Sequence, residues 1–167
     1  STYQGLSFIF SDWRLPVSRN RNFLPSDLKN LLDNQGVEAV LQHVDEHFKN
    51  LSEKYGYTIK TPENKINELG YLSLSVDDIK IAIQIFERNV KDYPESANVY
   101  DSLADALSAD GQLERAKLNY YKAVEKAQST NNPTGAIYKR KLDRIKEILR
   151  EQKDEERALI KKTGFEF

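Results

Sequence analysis

The chain reads as an all-α protein: a helix–turn–helix solenoid of two repeats, with flanking helices and a long C-terminal capping helix. Two observations predict this. Shifted by 34 residues, the stretch 66–128 falls on itself, so that Ile66 lands on Tyr100, Leu69 on Leu103, Gly70 on Ala104, Ala82 on Ala116 and Phe86 on Tyr120. A period of that size is one helical hairpin, which cannot bury its apolar face alone and so stacks on a copy of itself. The second observation is that apolar residues recur with helical spacing along most of the chain, while Gly and Pro fall between the periodic segments.

The elements follow in order. Tyr3, Leu6, Ile9, Phe10 and Trp13 share one helical face, and Pro16 ends that segment. A polar connector runs from Pro16 to Pro25. Ser26 suits a helix cap and Asp27 the first turn of a helix carrying Leu28, Leu31 and Leu32, which breaks near Asn34-Gln35-Gly36. Val37, Val40, Leu41, Val44, Phe48 and Leu51 continue as a helical stripe to Tyr55, where Gly56 supplies a left-handed stop. Pro62, at a first helical position, opens the first repeat, whose helices should run over 62–75 and 77–92. Pro94 separates the repeats. The second pair should run over 96–109 and 112–128, turning at Asp110-Gly111. After the loop Asn131-Asn132-Pro133-Thr134-Gly135, a charged helix over 136–162 carries Tyr138, Leu142, Ile145 and Leu149. A third copy of the repeat fails there, because Arg150 falls where the packing Ala belongs, so this helix is expected to cap the solenoid. The domain organisation is then a terminal helix over 1–16, a linker and helical region over 17–61, two repeats over 62–128, and a loop with its capping helix over 129–167.

The repeat resembles the tetratricopeptide signature W-x2-L-G-x2-Y…A-x3-F…P. The first copy reads Ile66-x2-Leu69-Gly70, Ala82-x3-Phe86 and Pro94, and the second Tyr100-x2-Leu103-Ala104-x2-Leu107 and Ala116-x3-Tyr120. Small residues are needed at Gly70, Ala82, Ala104 and Ala116 because paired helices approach closely there. Such repeats bind or brace other protein surfaces and rarely carry chemistry.

Composition narrows the function. Charged residues make up 31% of the 167 with a net charge of −1, both signs interspersed, so no basic face for nucleic acid is expected. The absence of Cys removes disulfides, thiolate metal sites and a Cys nucleophile. No apolar run reaches the roughly 20 residues of a membrane span. The chain contains no Met, and it starts at Ser1 in a hydrophobic segment, which reads as a processed product or an excised piece of something longer.

Candidate sites are few. His43-Val-Asp-Glu46-His47 matches H-x-x-E-H, and two His four apart on a helix can share a metal with Glu46 as base. No third ligand is apparent, and zinc sites need three or four, so no metal or cofactor is expected. Ser26-Asp-Leu-Lys29 matches S-x-x-K, but no K-T-G or S-D-N follows, and Ser26 has a use as a cap. Ser102, inside a repeat helix, has no evident base or oxyanion hole. The first helices of the repeats should line the concave surface. With packing positions removed, the contact candidates there are Asn64, Asn67, Tyr71 and Leu74, then Asn98, Asp101, Asp105 and Ser108. This face is polar, mildly acidic and without Lys or Arg of its own.

A further resemblance concerns the run Leu51-Ser-Glu-Lys-Tyr-Gly-Tyr57, Pro62-Glu63, Leu69-Gly70-Tyr71, Ala82-Ile83-x2-Phe86-x2-Asn89-Val90 and Tyr93-Pro94-x-Ser96-Ala97-Asn98-Val99-Tyr100-Asp101-Ser102-Leu103. It is similar to the C-terminal region of bacterial α/β-hydrolase esterases of the siderophore (enterobactin) esterase-like group. In those proteins a catalytic domain is followed by a helical extension. Tyr3-Gln-Gly-Leu-Ser-Phe-Ile-Phe10 with Trp13-Arg-Leu-Pro16 is similar to the last hydrolase helix. The resemblance covers most of 1–128 and weakens after Pro133. It implies a non-catalytic accessory domain whose partner is its own catalytic domain or another protein, in a bacterial cytoplasm or periplasm. The nucleophile elbow and the acid and His of the triad are absent from this sequence, so no catalytic residue carries over. The apolar face Tyr3, Leu6, Ile9, Phe10 and Trp13 would dock on that catalytic domain; without it, the face would fold onto the helical domain or pair with a second copy as a homodimer through residues 1–13. The alternatives are a free-standing adaptor binding a peptide in its groove and a small zinc hydrolase on His43 and His47.

Overall fold

The computed structural model describes residues 25–163, with side chains from Leu28 to Lys162. Among the described residues there are six α-helices and no strand, the class the periodicity predicts. They are α1 (Pro25–Tyr55), α2 (Glu63–Ser75), α3 (Ile79–Asp92), α4 (Ala97–Ala109), α5 (Leu113–Ser129) and α6 (Gly135–Thr163). The internal contacts divide the chain between Asp92 and Tyr93, so that α1–α3 form one compact unit and α4–α6 another.

In the first unit, α1 is two helical segments in one. Leu28 and Leu32 are buried, and so are Val37, Val40, Val44, Phe48 and Leu51. The step from Leu32 to Val37 is five residues, which in an unbroken helix would swing the apolar stripe round by about 140°. Gly36, at φ 78° and ψ 164°, breaks the helical path there, so both stripes can be buried. Gly56, at φ 75°, ends the helix. Its amide bonds to Ser52 O at 2.9 Å, and Ser52 Oγ accepts the Ile59 amide at 2.8 Å, which folds the chain back. Pro62 lies one position earlier than expected, capping α2 from an extended conformation instead of starting it. Its carbonyl accepts the amides of Lys65 and Ile66.

The hairpin α2–α3 buries Ile66, Leu69, Gly70 and Ser73 against Ala82, Ile83, Ile85, Phe86 and Asn89. Its tightest point is Gly70, where a Cβ would stand 2.4 Å from the Phe86 ring. Asp77, at φ 65°, makes the turn, and α3 starts at Ile79, two residues later than the periodicity suggests. Two polar links tie α1 to this hairpin. Lys29 Nζ reaches both Asp78 carboxylate oxygens at 3.2 Å. Arg88 donates to Asp45 Oδ1 at 3.0 Å and to Asp92 Oδ2 at 2.7 Å, while Thr61 Oγ1 donates to Asp45 at 2.7 Å.

The second unit repeats the hairpin in α4–α5. Leu103, Ala104 and Leu107 are buried, as are Ala116, Tyr120 and Ala123. Gly111, at φ 76°, makes the turn, and Tyr100 Oη donates to Pro94 O at 3.0 Å at the mouth of the hairpin. α6 packs along α5 through Tyr138, Leu142 and Ile145. Gly135 lets it start close to α5, since a Cβ there would lie 3.3 Å from Ala127 Cβ. From Arg150 to Lys162, every residue except the half-buried Ile160 is exposed. Full burial of an aliphatic or aromatic side chain contributes about 1.5–3 kcal/mol, so the fully buried Phe48, Phe86, Leu69 and Leu107 dominate their helix contacts.

Candidate interaction surfaces

The contact candidates divide between the two units. In the first, Asn64 on α2 is exposed and Asn67 half-buried, its Oδ1 buried without a hydrogen-bond partner. Tyr71 is 39% exposed, with its ring edge-on to Phe86 at 5.2 Å. Asn64 and Tyr71 therefore offer α2 a polar and an aromatic group to solvent, while Tyr71 is held in place by the core beneath it.

In the second unit the picture changes. Asn98 is half-buried, and Asp101 and Asp105, one turn apart on α4, meet a cation from α6. Lys141 Nζ lies 2.8 Å from Asp101 Oδ2 and 2.8 Å from Asp105 Oδ2. Tyr120 Oη adds a 2.6 Å bond to Asp105 Oδ1, and Lys141 stands 5.8 Å from the centroid of the Tyr120 ring. Asp101 is only 7% exposed, and its second oxygen is buried without a hydrogen-bond partner. Burial pushes the Asp101 carboxyl above its ordinary range, with the Asp105 charge acting in the same direction, although the Lys141 hydrogen bond opposes them. Burial pulls Lys141 down, but its hydrogen bonds to both aspartates and their charges outweigh this and leave it raised. The acidic face read from α4 alone thus gains a basic residue from a helix 36–40 positions away. The signal was present in the sequence, as Lys141 falls on the apolar stripe of Tyr138, Leu142 and Ile145, where a lone cation needs a partner.

The chemistry candidates are placed as follows. Ser102 is fully buried inside α4. Lys29 is engaged with Asp78, whose hydrogen bond is the main influence holding its ammonium raised despite some desolvation. Of Ser26, the helical backbone alone is described. His43 is exposed on α1, and His47 is half-buried with its ring edge-on to Phe48 at 5.2 Å. Among the described residues, no three His, Cys, Asp or Glu gather in a way that could hold a metal ion. No described helix is long and apolar enough to cross a membrane. The apolar face Tyr3, Leu6, Ile9, Phe10 and Trp13 lies outside the described residues.

One further surface is electrostatic. α6 carries ten basic against six acidic residues. Where it passes the first turn of α5, a cleft of about 230 Å³ is lined by Lys146, Leu149, Arg150 and Lys153 from α6 and by Glu114 and Lys117 from α5. Glu114 pairs with Lys117, whose hydrogen bond is the largest influence holding Glu114 below its ordinary range. The charges of Lys117 and Lys153 add to it. Among the described residues, Lys146, Arg150 and Lys153 make no hydrogen bond or ion pair.

Compared with protein-family models the chain matches none, and no curated protein matches it.

Proposed function

We propose that this chain is a non-catalytic helical accessory domain that packs against, or recruits for, a catalytic domain, the parent protein being a serine esterase. The observation that carries the reading is the use made of the segment Tyr93–Leu103, on which the esterase resemblance chiefly rests. Ala97, Val99, Tyr100, Ser102 and Leu103 are all buried, and Asp101 is committed to Lys141. The segment leads into and builds the first half of α4, and its Ser102 is sealed inside that helix, where a nucleophile has no access to substrate.

Two experiments test this. The chain by itself should not turn over p-nitrophenyl acetate; saturable turnover lost in Ser102→Ala would overturn the reading. Upstream coding sequence containing G-x-S-x-G and then a His would supply the catalytic domain, which, expressed separately, should co-purify with this chain. If no such domain is encoded, or if it fails to bind, the free-standing adaptor is favoured instead. Exposed Asn64 and Tyr71 on α2 are the contacts that adaptor would offer.

A further inference from the structure

We propose that the cleft between the first turn of α5 and the second half of α6 binds an acidic segment of a partner protein, whose carboxylates are read by Lys146, Arg150 and Lys153. This rests on the accessory reading above and names the chemistry of the protein recruited.

The argument starts from an electrostatic misfit. A helix N-terminus carries partial positive charge and favours anions. Here the N-terminal turn of α5 faces three cations across a cleft, and Glu114, the one carboxylate lining it, is already taken by Lys117. Folding does not require this arrangement, because α6 is held on α5 by Tyr138, Leu142 and Ile145 and tied to α4 by Lys141. Lys146, Arg150 and Lys153 make no hydrogen bond or ion pair among the described residues, so an incoming anion meets three cations open to it.

The layout of the charges selects the anion. Lys146, Arg150 and Lys153 recur at i, i+4 and i+7, a row about 10 Å long on one helix face. A row suits carboxylates repeated one turn apart on an acidic helix better than it suits a single phosphate ion, for which donors would converge. Half-buried Leu149 between them offers an apolar contact that a peptide can meet. Glu147, Glu151 and Asp154 flank the row on the same helix and confine an anionic partner to the line of the three cations.

The test is fluorescence anisotropy on the full chain, with a fluorescein-labelled Glu-rich helical peptide as probe and a labelled oligo-dT strand in parallel. The peptide should bind, more weakly as salt rises. The triple variant Lys146→Glu/Arg150→Glu/Lys153→Glu should weaken binding by about tenfold or more, and should gain affinity for the same peptide with Lys replacing Glu. A control with the same change of net charge, Lys49→Glu/Lys80→Glu/Lys91→Glu, should stay within about twofold of the parent. All six positions are exposed, so helicity by circular dichroism should be unaltered in both variants. Absence of peptide binding, equal loss in both triple variants, or tighter binding of oligo-dT than of the peptide would each overturn the proposal. None of these outcomes touches the co-purification test, so the two readings fail separately.

Discussion

At the scale of single residues, Gly70 decides how closely the first hairpin closes. Placing a Cβ 2.4 Å from the Phe86 ring forces a fully buried ring to move. Overpacking costs about 1–3 kcal/mol, against which Ala gains about 1 kcal/mol of helix propensity. Gly70→Ala should therefore lose about 1 kcal/mol in urea melts, and the loss should vanish in a Phe86→Leu background. An unchanged loss in that background would mean that Phe86 is not the obstacle. The second hairpin already carries Ala104 at the matching position, with Tyr120 where the first has Phe86. This correspondence was legible because close approach leaves small residues at a fixed period. Gly36 is the other decisive residue, in a backbone region open almost only to glycine. Gly36→Ala should cost about 1–3 kcal/mol; a melt matching the parent would place the kink elsewhere.

Among elements, helix boundaries were the most legible feature. Pro62, Pro94, Gly111 and Gly135 each mark where a helix cannot continue or where two must lie close, and the helices lie within two residues of the expected limits. What the sequence hid was the partner of each polar residue. Asp101 and Asp105 look like groove contacts until α6 is laid against them, because contact between segments 36–40 residues apart leaves no periodic trace. Lys141→Met tests that contact. It leaves Asp101 buried without its cation, which should cost about 2 kcal/mol at neutral pH, less than for a fully buried pair because Lys141 is partly exposed. The pH dependence has a defined sign. Asp101 is already raised in the folded state, chiefly by burial, and losing Lys141 removes an opposing influence. The penalty for ionising it is thus present above its folded pKa and relieved as pH falls through it. Urea melts should show the gap between variant and parent narrowing from pH 7 to about pH 4.5. A constant or widening gap would contradict the assignment.

For the whole molecule, the division at Asp92/Tyr93 falls between the two repeats. α4, α5 and α6 carry their own core in Ala104, Leu107, Ala116, Tyr120, Tyr138 and Leu142. A fragment Tyr93–Phe167 should therefore be helical by circular dichroism and melt cooperatively in urea, with a lower midpoint than the full chain, since so small a core gives only a few kcal/mol. A non-cooperative melt would show that the unit depends on the rest of the chain. The charge distribution at this scale was the least legible feature. A net charge of −1 and interspersed signs hide the fact that α6 alone is strongly basic, which emerges when charges are counted per helix.

The Lys141 bridge also bears on which structures are forbidden. Slide α6 by one turn in either direction and Ile137 or Ile145 replaces Lys141 opposite Asp101 and Asp105, leaving two carboxylates against hydrocarbon. The apolar seam resists such a slip as well, since it carries Lys146 into the place of Leu142 or Lys141 into that of Ile145, and the aspartates add a second penalty to it. The bridge thus acts as a key that penalises those slipped dockings, and its main energetic effect falls on states the molecule does not occupy. An Asp101→Leu/Asp105→Leu/Lys141→Leu variant should melt no earlier than the parent, yet its α6 amide resonances should broaden or double as the helix samples neighbouring alignments. A single sharp set of α6 resonances would show that the apolar seam alone chooses the alignment.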